Sequence, residues 1–120
     1  MKEKLSEFER LCLEYIALKN PEWKEKIYHL ISQLKVVDRM YENPVGAYVY
    51  FAKEVWMADF GLPNILDADI EYPDHNDGLF FLFYPNTDDQ TDFIFLELSS
   101  FVGNLDYEYI TFKMKDELGR

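Results

Sequence analysis

Between Glu54 and Phe112 the chain runs for fifty-nine residues without a Lys or an Arg while carrying thirteen carboxylates. Any fold must present most of those carboxylates to water or to cations from elsewhere, because an unpaired buried charge is strongly destabilising. Residues 1–53 hold nine Lys/Arg against eight Asp/Glu and residues 113–120 three against two, so the formal net charge of −11 arises within this one stretch. The stretch also contains thirteen aromatic residues. That much apolar surface supports a folded, acidic, aromatic-rich sheet and argues against a disordered acidic tail.

A chain of 120 residues is long enough to bury one core without covalent staples, and a single domain over residues 1–120 is expected. Its one cysteine, Cys12, excludes an internal disulfide and fits a reducing compartment. The N-terminus leads directly into a charged helical pattern, and no apolar run approaches the ~20 residues needed to span a bilayer. The expectation is a soluble, cytoplasmic protein.

Along the chain, Leu5, Phe8, Leu11, Cys12, Tyr15, Ile16 and Leu18 recur at helical spacing, and Ser6 with Glu9 fits a capping box. Asn20-Pro21 ends that helix and opens a second, with Asn20 as its N-cap and Trp23, Ile27, Leu30, Ile31, Leu34 and Val37 on one face. Asn43-Pro44 repeats the device. A third helix follows from Val45, Tyr48, Val49, Ala52, Val55, Trp56 and Phe60 and stops at Gly61 and Pro63, although Tyr48-Val49-Tyr50-Phe51 taken alone suits a strand.

Beyond Pro63 the period changes from about 3.6 to 2. Leu66, Ala68, Ile70 and Tyr72 alternate with Asp67, Asp69 and Glu71, which places three carboxylates on one wet face of a strand. A turn over Asp74–Gly78, a strand over Leu79–Tyr84, a turn over Pro85–Asp89, a strand over Asp92–Leu98 and a last strand over Tyr107–Met114 complete the reading. The predicted fold is α+β: three N-terminal helices packed on one face of a four-stranded, mainly antiparallel sheet. Its other face would carry Asp67, Asp69, Glu71, Glu97, Tyr107 and Tyr109.

Tests for catalytic or metal chemistry are negative. Counting a calcium loop from Asp67 puts Tyr72 and Gly78 where an EF-hand needs Gly and a carboxylate. Pro73-Asp74 and Glu97 resemble a metal-dependent nuclease pattern, yet Ser99 stands where its lysine belongs and no cation lies nearby to clamp a phosphate. His29 reads as a surface residue, His75 as a turn residue and Cys12 as a small core hydrophobe. No phosphate loop, nucleophile elbow or zinc spacing occurs. The chain is therefore read as not an enzyme, with no cofactor and no metal site. Nucleic-acid binding is disfavoured because it draws on Lys and Arg.

A negative face suits a positive protein. A merely solvated surface mixes both signs, whereas a coherent field steers a basic partner and accelerates association. Carboxylates pair with Arg, and tyrosines beside them supply rigid contact area.

In size, cytoplasmic character and the acidic, aromatic-rich half from Glu54 to Phe112, the chain resembles the small acidic immunity proteins that bacteria make against their own nuclease toxins, as in contact-dependent inhibition and other polymorphic toxin systems. That resemblance implies a non-catalytic inhibitor that covers the active site of one cognate basic toxin domain, its carboxylates standing in for substrate phosphates. The expected contacts are Asp67, Asp69, Glu71, Asp74, Asp77, Asp88, Asp89 and Asp92, with Tyr72, Tyr84, Tyr107 and Tyr109 as anchors. Two alternatives stay open: a nucleic-acid mimic acting on a DNA-binding protein through the same face, and a small-ligand domain enclosing an aromatic pocket.

Overall fold

Helix α1 (Glu7–Lys19) begins on a reciprocal cap: the Ser6 hydroxyl accepts from the Glu9 amide at 3.1 Å and the Glu9 carboxylate accepts from the Ser6 amide at 2.8 Å. Two otherwise orphaned amides are thereby satisfied, as the Ser6/Glu9 spacing predicts. The computed structural model describes residues 3–42, 46–52, 62–63, 65–72, 75–84, 94–100 and 106–120; for residues 42, 71–72, 75–79, 94 and 100 it describes the backbone alone. Every residue from Leu11 to Ala17 is buried. A helix buried on all sides must be enclosed by other elements, and α1 packs against the sheet and both other helices.

A 3₁₀ turn at Pro21–Trp23 leads into α2 (Lys24–Ile31), which buries Ile27, Leu30 and Ile31 against α1. Asn20 does not cap it. Its side-chain amide donates instead to the carbonyls of Ile16 and Asp67, both at 2.8 Å. The strands are β1 (Val36–Glu42), β2 (Gly46–Phe51), β3 (Leu66–Tyr72), β4 (His75–Tyr84) and β5 (Ile94–Ser100), followed by α3 (Tyr107–Glu117). They form one sheet in the order β1-β2-β5-β4-β3 with every neighbouring pair antiparallel. Among the described residues no helix is long and apolar enough to cross a membrane.

The α+β class stands, but the expected three N-terminal helices on a four-stranded sheet do not: among the described residues two α-helices precede a five-stranded sheet and one follows it. The second helix stops at Ile31, and Val36 and Val37 begin a strand because the Val36 amide and carbonyl pair with Glu3 at 2.7 and 2.8 Å. The expected third helix is β2 where it is described. Ala47, Val49 and Phe51 are buried while Tyr48 and Tyr50 are half-buried, a period of 2 that suits β-branched and aromatic residues. Its remainder, residues 53–60, lies outside the described residues. Gly46 pairs with Glu42 and Ser99, and glycine fits there because a Cβ would stand 2.5 Å from the Leu98 carbonyl oxygen of β5.

The expected last strand is α3. Asp106 caps it by accepting from the Tyr109 amide at 3.1 Å, and Ile110 and Met114, one turn apart, are both buried. Alternating Ile110, Phe112 and Met114 look strand-like, but Phe112 is 65% exposed, which only a helix explains. The helix ends on Gly119 at φ +80, with the Gly119 amide donating to Asp116 and the Arg120 amide to Lys115. This is a Schellman turn, and glycine occupies its left-handed position at least steric cost.

The inner sheet face carries Ala47, Val49 and Phe51 of β2, Leu96 and Leu98 of β5, Phe81 and Phe83 of β4, and Leu66, Ala68 and Ile70 of β3, all in one core with α1. Tyr15 meets Phe81 edge-on at 5.8 Å. Enclosure of α1 also buries two of its carboxylates. Glu9 accepts from Arg39 at 2.6 and 3.0 Å and from the Tyr41 hydroxyl at 2.9 Å, while Glu14 pairs with Arg120. Burial works to raise the Glu9 pKa, but the hydrogen bonds from Arg39, Ser6 and Tyr41 and the charge of Arg39 outweigh it and hold it below the usual 4.5.

Because that folded value is depressed, the stabilisation from Glu9 is complete above pH 4.5 and is lost as the pH falls through the folded value. Glu9→Gln strands Arg39 against a neutral amide and should cost about 3 kcal/mol at pH 7. Urea unfolding at pH 7 and pH 3.5 should show the wild type losing more stability on acidification than the variant; equal losses would show that this pair carries no acid sensitivity.

Candidate functional site

Among the described residues the helices stand on one side of the sheet, and the opposite face carries the outward residues of the strands. Register aligns them in rows. Met40, Tyr48, Glu97, Leu82 and Asp67 follow one another across β1, β2, β5, β4 and β3. Beside them run Asp38, Tyr50, Phe95 and Tyr84 on one flank and Ser99, Phe80 and Asp69 on the other. Rings dominate the centre. Tyr84 stacks on Phe95 with centroids 4.3 Å apart, Tyr50 lies 6.0 Å from Phe95, and Tyr48 is stacked 6.4 Å from Tyr50. Cross-strand aromatic pairs of this kind stabilise a sheet by about 0.2–1 kcal/mol each.

Carboxylates frame the rings. Asp38, Asp67 and Asp69 are exposed on the two edge strands, and Glu97 is half-buried on the central one. No Lys or Arg stands on this face among the described residues. Every ion pair among them joins groups of α1, α3, β1 or the terminal residues Glu3 and Arg120. Burial, and then the Glu97 carboxylate nearby, push the Tyr84 phenol above its usual value.

Of the residues expected at the interface, the structure brings Asp67, Asp69 and Tyr84 together on this face. Glu71 and Tyr72 close β3, and Asp77 lies in β4, not in a turn, since that strand already begins at His75. Asp74, Asp88, Asp89 and Asp92 lie outside the described residues. Tyr107 and Tyr109 are misplaced by the sequence reading: they belong to α3, which packs against α1 on the helical side. The residues that reading missed are Asp38, Tyr48 and Tyr50. For Tyr48 and Tyr50 the signal was the Tyr-Val-Tyr-Phe alternation, masked by the helix-like spacing around it.

A second feature lies on the helical side. Phe8, Tyr41, Tyr107, Thr111 and Phe112 line a groove of about 720 Å³ with Glu108 and Lys115 at its rim. Phe8 and Tyr41 both meet the Tyr107 ring edge-on, at 5.3 and 6.1 Å. The Tyr107 hydroxyl is buried with no hydrogen-bond partner among the described residues. His29 is exposed on α2, Cys12 is enclosed in the core, and no group of three metal-ligating side chains occurs among the described residues. Burial, then the Glu9 carboxylate, push the Cys12 thiol well up, away from nucleophilic use.

Tyr107→Phe removes that unpartnered hydroxyl and should leave stability unchanged or raise it by about 1 kcal/mol. A loss of similar size in urea unfolding would show that the hydroxyl is bonded in solution. Comparison of the chain with protein-family models, curated proteins and solved structures gave no match.

Proposed function

We propose that this protein is a non-catalytic inhibitor that binds a basic protein through the outer face of its sheet, as an immunity protein covers a cognate nuclease toxin. The observation that carries this reading is the composition of that face: rings and Glu97 at its centre, Asp38, Asp67 and Asp69 at its edges, and no cation on it among the described residues. Such a surface attracts a positive partner at long range through the carboxylates and holds it at short range through the rings. A nuclease active site is itself basic where it receives phosphates, so carboxylates spaced across a sheet are suitable stand-ins for its substrate.

A small-ligand domain is a second reading, favoured by the groove between α1, β1 and α3 with its buried tyrosine hydroxyl. The groove is within the volume range of small-molecule sites. A stoichiometric small molecule released on denaturing the purified protein would move the assignment to that groove.

The test of the first reading is capture of a partner from native lysate at low and then moderate salt, followed by association kinetics with the purified partner. The combined variant Asp67→Asn, Asp69→Asn and Glu71→Gln should fold as the wild type does by circular dichroism. It should associate roughly tenfold more slowly at low salt, with a flatter salt dependence. Identical kinetics for the two proteins at low salt would remove β3 from the interface.

A further inference from the structure

Glu97 occupies the centre of the outer face and differs from the other carboxylates there. It stands on the central strand β5, directly opposite Tyr48 of β2 and Leu82 of β4, with Phe95 two residues along on the same face. Directly opposed side chains have Cβ atoms about 5 Å apart, so Tyr48 is the direct cross-strand neighbour of Glu97, and Tyr84 is its diagonal neighbour. Glu97 is half-buried, yet its carboxylate takes part in no ion pair or hydrogen bond among the described residues. By contrast the buried carboxylates of the helical side, Glu9 and Glu14, each hold an arginine. A carboxylate partly withdrawn from water and bordered by rings raises the free energy of the free protein, and a cation delivered from outside relieves that cost.

Resting on the reading of this face as the surface for a basic protein, we propose that Glu97 and the flanking rings of Tyr48 and Tyr84 seat one arginine side chain of that partner. The carboxylate pairs with the guanidinium through two parallel N–H donors, and the rings lie against its flat surface. Arginine fits better than lysine because its charge is planar, weakly hydrated and able to stack while it donates in two directions. The exposed Asp38, Asp67 and Asp69 at the edges attract and orient the partner, whereas the central residue, partly desolvated and surrounded by rings, supplies the anchoring contact.

The experiment is a nuclear magnetic resonance titration of the full chain at low salt with the blocked tripeptide acetyl-Gly-Arg-Gly-amide, beside its lysine and citrulline counterparts. The arginine peptide is expected to shift resonances of Glu97, Tyr48 and Tyr84 and to bind roughly fivefold more tightly than the lysine peptide. The neutral citrulline peptide should leave them unmoved. Glu97→Gln should keep the fold, melt no lower than the wild type, and lose the arginine response. Equal binding of arginine and lysine peptides with shifts confined to Asp67 and Asp69 would overturn the arginine seat while leaving the acidic-face reading intact. No shift anywhere on the face with either cationic peptide would overturn both, and a citrulline response equal to that of arginine would overturn the role given to charge.

Discussion

Enclosure of α1 is the constraint from which the rest of the electrostatics follows. A helix buried from Leu11 to Ala17 has no wet side on which to leave Glu9 and Glu14, so each must be met by a cation inside the fold. Arg39 reaches Glu9 from β1, also pairing with Glu3 and donating to the Lys4 carbonyl at 3.0 Å, which ties the N-terminal segment to the sheet. Arg120 reaches Glu14 only because Gly119 turns the chain back at the end of α3. Lys19 and the Tyr15 hydroxyl hold Glu117 at 3.2 and 2.6 Å. The cations that pair are thus committed to the helical layer, and among the described residues the outer sheet face carries carboxylates without a Lys or Arg.

The same packing occupies part of each edge of the sheet. On β3 the carbonyl of Asp67 accepts from Asn20, and that of Asp69 lies 3.2 Å from the Tyr15 hydroxyl. On β1, Val36 is paired with Glu3, and the Arg39 amide donates at 2.9 Å to the Asp38 carboxylate just before it. Exposed edges invite pairing with other chains, and side chains that occupy edge donors and acceptors prevent it. Under the proposed function, a partner would meet the broad face, where side-chain chemistry can discriminate, in preference to a strand edge.

The parts legible in the sequence were those in which local preference and tertiary burial agree. The Ser6/Glu9 cap, the apolar stripe of α1 and the alternation of Leu66, Ala68 and Ile70 with Asp67 and Asp69 each have one physical reading, and each is realised. The failures came where two periods coincide. Residues four apart in a helix and two or four apart in a strand share positions, so Ile110 and Met114 fit both, and the decisive signs were Asp106 as a cap and Lys113 and Lys115 near the helix end. Around Tyr48 the opposite error arose, since Tyr48, Val49 and Ala52 fit a helical stripe until pairing with β1 and β5 on both sides fixes the segment as a strand. Reassigning these two segments moves Tyr107 and Tyr109 away from the acidic face and brings Tyr48 and Tyr50 onto it. Tyr48 and Tyr50 thus stand where Tyr107 and Tyr109 were expected.

Stability alone does not account for the composition of the face. Aromatic pairs such as Tyr84 and Phe95 strengthen the sheet, and scattered carboxylates at Asp67 and Asp69 cost little in water. Glu97 between Tyr48 and Leu82 does neither: it interrupts an apolar row on the central strand, has no cation beside it among the described residues, and sits where β-branched or aromatic residues pack best. A chain that supplies arginines to Glu9 and Glu14 has the means to neutralise an inward carboxylate when folding demands it. At Glu97 no arginine is supplied among the described residues, which is the arrangement expected if the charge serves the proposed contact with a basic partner.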